Sequence, residues 1–276
     1  MPPRLHVLHR PGTSLHVILR TGAQKKKKVS SAWAWDWATD EITLGQWLGG
    51  RIYPLECDLS PDGQWMYYNA LNAKWDDEAT LGCFGALSRA PYLKAVTLWP
   101  VGNRWMPGML IKRWGRRART RAAYVGAPAL PEAFTREFYL ISGFYPQRLR
   151  RDGWTKRKTV KRPGRPDFHG TPVTDRVSTF SRPIRGAARL HRIHHVEPLG
   201  AGPTRYDTHA IVDTGGANHP RPGWQWAQVD EVRGRLLWAE EGRLWAGRIG
   251  RRGLPEDPTL LYDFNGLRFA RKVAPY

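Results

Sequence analysis

Apolar and polar residues alternate along the first third of the chain in the way that β-strands require. Residues 5–9 and 15–20 alternate with a period of two, and residues 32–39 read A-W-A-W-D-W-A-T. Side chains two apart in a strand share a face, so Trp33, Trp35 and Trp37 fall together and Asp36 falls opposite them. These stretches predict short strands.

Turn residues separate the predicted strands at regular intervals. Ser60, Pro61, Asp62 and Gly63 form an S-P-D-G sequence, in which the proline presets φ and the glycine accepts a positive φ. This turn leads into a predicted strand at residues 64–70. Near the C-terminus, tight turns are expected at residues 232–234 and 240–242.

An approximate internal repeat accompanies these turns. The segment that begins at Asp58 resembles the one that begins at Asp230, and a weaker copy begins at Asp263. Short strands, tight turns and imperfect self-similarity favour radially repeated sheets over a β-sandwich. The predicted fold is therefore all-β and β-propeller-like, with about five blades.

The middle of the chain is rich in Pro, Gly and basic residues and poor in apolar positions, most clearly at residues 150–205. This composition is typical of a long loop or insertion. We therefore expect N-terminal blades at 1–110, a basic, loop-rich segment at 111–205, and C-terminal blades at 206–276 that complete the same domain.

Bulk composition bounds the protein class. The 276 residues include 41% hydrophobic residues, 14 Trp and only two cysteines, Cys57 and Cys83, which we expect to be free and buried. No run approaches the roughly 20 apolar residues that span a bilayer, and the N-terminus lacks the apolar core of a signal peptide. These features predict a cytoplasmic protein without a membrane partner.

Positive charge is concentrated in one part of the sequence. The formal net charge is +20, and residues 101–195 hold 22 Lys and Arg against 5 Asp and Glu, whereas both flanks are nearly balanced. Two clusters, at residues 112–121 and 148–165, carry this excess, and a polyanion such as a phosphate backbone would offset the repulsion within them. Interleaved tryptophans could stack on bases. The residues expected to bind nucleic acid are Lys112, Arg113, Trp114, Arg116, Arg117, Arg119, Arg121, Trp154, Lys156, Arg157, Lys158, Lys161 and Arg162.

The basic segment has two alternative roles that its charge permits equally. It could meet an acidic protein partner, for example in a multi-subunit complex, or it could be a solvated surface without a charged partner. The four lysines at 25–28 lie between two predicted strands and are expected to be a solvated hairpin tip.

Signals for catalysis and metal binding are weaker. His191, His194 and His195 have metal-ligand spacing on a helix or turn, but no nearby Cys or carboxylate completes a set. Asp207 and His209 could form an acid–base pair, although a structural hydrogen bond is the favoured interpretation. No cofactor motif occurs, so we expect no cofactor and no metal.

A hydrolase with carboxylates that converge in a propeller channel is a third hypothesis for function. Its candidates are Asp36, Asp58 and Asp230. The last two occupy equivalent places in the repeat, which favours a structural role.

Five segments resemble a family of uncharacterised bacterial propeller-like (WD40-like) proteins with an S-P-D-G blade near the N-terminus. They are residues 45–63, 88–102, 206–209, 224–230 and 263–269. The resemblance implies a β-rich, propeller-like fold and no reaction. Taken together, the sequence predicts a non-enzymatic binding or scaffold protein whose basic centre contacts nucleic acid, with a protein-binding propeller as the alternative.

Overall fold

A computed structural model describes residues 1–100, 109–111, 138–140, 144–164, 174–199 and 202–276. The predicted basic cluster at residues 112–121 lies outside this described part. Contacts divide the chain into two compact units. The first comprises Met1, His6–Arg148 and Gly266–Tyr276, and the second comprises Pro2–Leu5 and Leu149–Asn265. The boundary falls within the segment that the sequence assigned to a basic insertion.

Two antiparallel sheets account for most of the first unit. One has its strands in chain order: β1 (Arg4–Leu8), β2 (Leu15–Gln24), β3 (Lys27–Asp36) and β4 (Ile42–Gly49). The other contains β5 (Arg51–Ile52), β6 (Asp58–Leu59), β7 (Trp65–Leu71), β8 (Cys83–Arg89) and β9 (Thr97–Pro100), and a short 3₁₀ turn, Pro54–Glu56, lies between β5 and β6. The order is β5-β7-β8-β9, with β6 paired to β7. Side chains from both sheets, such as Leu19 and Met66, pack in one hydrophobic core.

The turns of this unit form where the sequence places them. Gly63 has a φ of +72°, and Trp65 N–H donates to the Ser60 hydroxyl at 2.9 Å. Lys25 and Lys26 both have positive φ, as the tight two-residue turns of β-hairpins require. The four lysines at 25–28 are exposed, which confirms the predicted hairpin tip.

A two-stranded sheet and one helix follow. They are β10 (Met109–Ile111), β11 (Phe138–Leu140) and α1 (Phe144–Arg151). Among the described residues, no helix is long and apolar enough to cross a membrane.

The second unit contains a five-stranded and a four-stranded sheet, each antiparallel with its strands in chain order. The five-stranded sheet consists of β12 (Thr155–Pro163), β13 (Thr174–Pro183), β14 (Arg189–Leu199), β15 (Gly202–Val212) and β16 (Asn218–Arg221). The four-stranded sheet consists of β17 (Trp224–Asp230), β18 (Arg235–Glu240), β19 (Arg243–Ile249) and β20 (Pro255–Asp263). Trp238 stacks on Trp224 and on its cross-strand partner Trp245, so the tryptophans act as packing residues here.

The all-β, propeller-like prediction is confirmed. The described residues form four antiparallel sheets of four or five strands, the kind of sheet from which propeller blades are built. The sequence predicted about five such blades. Cys57 and Cys83 are buried thiols outside any disulfide, as predicted.

The prediction of a loop at residues 150–205 was wrong. The described residues of this segment hold β12, β13 and β14, which are strands of nine to eleven residues, and the first residues of β15, which continues to Val212. Composition misled because β12 lies at a sheet edge, where a strand needs few apolar side chains. Of the prolines and glycines that suggested a loop, Gly164, Pro166, Gly170 and Pro172 fall in the sequence between β12 and β13.

Candidate nucleic-acid interface

The second predicted basic cluster forms an edge strand. In the described sheet β12 is one of the two edge strands, and every residue from Thr155 to Pro163 is exposed except the half-buried Val160. Val160 lies opposite Val177, and the Thr159 hydroxyl lies 2.9 Å from that of Ser178, within a ladder that pairs β12 with β13 from Thr155 to Pro163. The long basic side chains on either side of Thr159 and Val160 are exposed to solvent.

One face of the sheet carries a pair of directly opposed cations. Lys161 on β12 pairs with Arg176 on β13, and residues directly opposite each other on antiparallel strands share a face. Both side chains are exposed, and neither forms an ion pair with a carboxylate in the described part of the chain. Like charges in this position destabilise a sheet. Sequence counting missed Arg176 because it lies outside both clusters and meets Lys161 only through the strand register.

The other face of the sheet carries basic side chains next to two histidines. Lys158 and Arg162 point to this face, opposite Thr179 and Asp175. Burial lowers the pKa of His191, and the charges of Arg157 and Lys158 lower it further. Burial also lowers the pKa of His195; Asp207 and Glu197 oppose this, whereas Arg162 adds to it. The basic residues thus act on both imidazoles across the sheet surface.

Arg157 occupies a β-bulge, which interrupts the pairing between Lys156 and Lys158. Its guanidinium Nε donates to the Ser181 hydroxyl at 2.6 Å. This contact orders the side chain beside His191 and leaves its remaining N–H groups available as donors.

A stacked aromatic pair lies on the same face as Lys158 and Arg162. His195 on β14 and Tyr206 on β15 are cross-strand partners, with ring centres 4.5 Å apart and planes only 3° from parallel. The Tyr206 hydroxyl donates to Glu197 at 2.6 Å, and His195 Nε2 lies 3.0 Å from the Thr208 hydroxyl. The strand-like alternation of side chains in residues 189–199 was the sequence signal for this pair. The prediction of a loop at residues 150–205 left that signal unused.

The burial of Trp154 corrects the prediction that this residue stacks on bases. Its side chain is only 3% exposed, and the Arg192 guanidinium covers the indole at 4.4 Å from the ring centre. An indole enclosed in this way offers no face to a base. Trp154 is therefore a packing residue that precedes β12.

Arg148, at the start of the second sequence cluster, is also removed from the surface. It is buried in the first unit, where it donates to the backbone carbonyls of Pro54 and Cys57 and lies over the Tyr145 ring. Its charge is visible in the sequence, but its buried partners are not.

The three histidines with metal-ligand spacing do not converge. They lie on a strand, so His191 and His195 point to one face and His194 to the other. His194 Nδ1 instead lies 2.9 Å from Asp207 Oδ1. Among the described residues, no group of three or more His, Cys, Asp or Glu side chains could hold a metal ion.

The Asp207 and His209 pair belongs to the interior. Burial favours a higher pKa for Asp207, but the His194 hydrogen bond and the charges of His194 and Arg192 outweigh it and hold this pKa well below its usual range. His209 Nδ1 donates to the Trp224 carbonyl at 3.0 Å, and burial lowers its pKa to about 4. These contacts tie β14 and β15 to β17, which supports the structural interpretation.

Two of the three candidate hydrolase carboxylates hold turns, and the third is buried. Asp36 accepts from Ala38 N–H at 2.7 Å, and Asp230 accepts from Arg235 Nε at 2.8 Å and from Arg233 N–H at 3.2 Å. Asp58 is 1% exposed at the start of β6. Each carboxylate therefore has a place in the fold that needs no substrate.

No protein-family model matches the chain, and no curated protein matches its sequence. The resemblance to bacterial propeller-like proteins stays a prediction.

Proposed function

We propose that this chain is a non-enzymatic nucleic-acid-binding protein whose β12 edge holds the phosphate backbone. The observation that carries the proposal is the opposed pair Lys161 and Arg176, two exposed cations on neighbouring strands with no carboxylate partner in the described residues. A phosphate group between them would turn a repulsive arrangement into an attractive one.

Protection of a sheet edge explains only part of this arrangement. Lysines on an edge strand discourage pairing with other chains, and β12 carries Lys156, Lys158 and Lys161. Arg176 lies on the next strand inward, where edge protection gives no reason for a cation opposite Lys161. Anion binding accounts for both strands.

Binding of a fluorescently labelled oligonucleotide at low salt tests this proposal. The test variant changes Lys156, Lys158, Lys161 and Arg162 to Gln, and the control changes the four exposed lysines at 25–28 to Gln. Both variants lose the same charge, so a difference between them reports position and not net charge. We expect the β12 variant to bind at least about tenfold more weakly than the hairpin-tip variant.

Equal affinity of the two variants would reject the β12 edge as the site, and undetectable binding by the unmodified protein would reject nucleic acid as the ligand. Purification with and without nuclease adds a second outcome. A protein that stays bound after nuclease treatment, and is lost from the β12 variant, would indicate an acidic protein partner instead. A scaffold role in a larger complex in the cytoplasm is part of the same proposal, and this purification tests it.

A further inference from the structure

One row of side chains crosses the outer part of the five-stranded sheet. Val160, Val177, His195 and Tyr206 follow one another through the registers of β12 to β15 and share a face. All four are half-buried, so the row is open to solvent. The basic residues Lys158 and Arg162 flank Val160 on that face.

Tyr206 ends this row with one side of its ring uncovered by a neighbouring strand. β16 pairs only with His209–Val212 of β15, so in the described sheet Tyr206 has a partner strand on one side alone. His195 covers that side, and His195 is the one aromatic ring stacked on Tyr206 among the described residues. The hydrogen bond from its hydroxyl to Glu197 fixes the orientation of the ring.

From this geometry we infer that the nucleic acid is single-stranded and that one of its bases stacks on the outer side of Tyr206. The inference rests on the proposed function and specifies its ligand. The base would extend the existing parallel stack of Tyr206 on His195, and the phosphates would lie toward Lys158 and Arg162. Little ordering is needed on binding, because the ring is already fixed.

Strand spacing is consistent with this arrangement. β12 and β15 are separated by three inter-strand steps, about 14 Å in all, and a base on the outer side of Tyr206 would lie roughly one step farther from β12. Arg162 and Lys158 extend over part of that width, and consecutive nucleotides of one strand can bridge the rest from phosphate to base. A duplex hides the faces of its bases within the stack, so the aromatic pair would be of use only to unpaired bases.

Two acidic residues lie at one end of the face that carries Lys158 and Arg162. Glu197 accepts from the Tyr206 hydroxyl, and Asp175 lies opposite Arg162. Both lie on the side of the aromatic row away from Lys158, so we expect the phosphates nearest to the acids to be held by Arg162 alone.

The test compares Tyr206→Ala with Tyr206→Phe, using a mixed-sequence single-stranded oligonucleotide and the duplex of the same sequence. Tyr206→Ala removes the stacking ring, whereas Tyr206→Phe keeps the ring and removes only the hydroxyl. We expect Tyr206→Ala to weaken single-strand binding by about 5- to 150-fold, with Tyr206→Phe within a few-fold of the unmodified protein. Circular dichroism checks that both variants fold.

Salt dependence separates stacking from phosphate contact. The slope of log affinity against log salt should be unchanged in Tyr206→Ala, because stacking releases no counterions, but shallower in the β12 variant. Unchanged single-strand affinity in Tyr206→Ala, or an equal loss for duplex and single strand, would overturn the inference. If the β12 variant still loses affinity in that case, the proposed function stands; if the unmodified protein binds neither ligand, both fall.

Discussion

The guanidinium of Arg192 lies 4.4 Å from the centre of the Trp154 indole, and its Nη2 donates to the Ala227 carbonyl at 2.7 Å. A cation held over an aromatic face and bonded to a strand of the next sheet fixes both side chains. Because Trp154 immediately precedes β12, this contact anchors the start of the basic strand in the interior of the second unit.

Trp154→Ala should therefore destabilise the protein. We expect a loss of about 3–5 kcal/mol in the free energy of unfolding, the range for truncation of a large buried aromatic side chain. Urea unfolding measures it, and Trp75→Ala, at a position 47% exposed, should cost much less. A Trp154→Ala protein of unchanged stability that bound oligonucleotides more weakly would contradict the packing role and restore a base-stacking one.

Lys161→Glu should affect stability and binding in opposite directions. The change replaces the repulsive Lys161 and Arg176 pair with an attractive one, so we expect the free energy of unfolding to rise by roughly 0.5 kcal/mol. Oligonucleotide affinity should fall, because the variant loses a cation and gains an anion at the proposed phosphate site. Chemical denaturation and fluorescence anisotropy measure the two effects. If Lys161→Glu lowers stability, the two side chains do not repel each other as their register implies.

The turns and most strands of this protein can be predicted from its amino-acid sequence better than its surfaces can. The turn at Ser60–Gly63 and the hairpin tip at Lys25 and Lys26 depend on local conformational preferences, so they could be predicted. The strand β12 could not, since its single half-buried apolar residue, Val160, is set by pairing with Val177. The same limit applies to the pair Lys161 and Arg176, because only register brings residues 15 positions apart into direct opposition.

The burial of individual charged side chains is a second feature that could not be predicted from the sequence. Arg148 and Lys158 count equally in a sequence, yet one donates to buried carbonyls and the other is exposed on an edge. The buried group that links Arg192, His194 and Asp207 likewise arises from the alternation of β14 and its pairing with β15. Such partners are separated by 13 or more positions and leave no local signal.

His16 should make the fold sensitive to acid. It is 1% exposed between His9 and Trp37, and both of its ring nitrogens are buried without a hydrogen-bond partner among the described residues. Burial lowers its pKa to about 3, although the charge of Asp36 acts in the other direction. The unfolded chain, with an ordinary histidine pKa, binds the proton first as pH falls. The stability that neutral His16 contributes is therefore complete above pH 6.5 and is lost progressively as the pH falls toward 3.

His16→Phe tests this dependence. The variant should be about 1 kcal/mol more stable near neutral pH, because two unsatisfied polar atoms are removed. Between pH 7 and pH 4.5 it should lose roughly 2–3 kcal/mol less than the unmodified protein. Unfolding curves at both pH values measure the difference, and His209, which is also buried, contributes equally to both proteins. Parallel loss in the two proteins would show that His16 is not the group responsible.

Gln24 should secure the C-terminal segment of the first unit. Its side-chain amide donates to the Leu267 carbonyl at 2.8 Å and accepts from Phe269 N–H at 2.9 Å. Gln24→Ala removes both bonds, so we expect a loss of about 1–2 kcal/mol and faster proteolysis after residue 266. Gln64→Ala, an exposed glutamine in the same unit, is the control. Equal proteolysis rates in both variants would show that the segment is held by other contacts.

The salt dependence of single-strand binding tests the phosphate-binding role of β12 most directly. Each phosphate contact with a single strand contributes about −0.7 to the slope of log association constant against log salt. Replacement of Lys156, Lys158, Lys161 and Arg162 by Gln should make the slope shallower by about 2 to 3, whereas replacement of the four lysines at 25–28 should leave it nearly unchanged. An equal change of slope in both variants, or no change in either, would contradict the assignment of phosphate binding to β12.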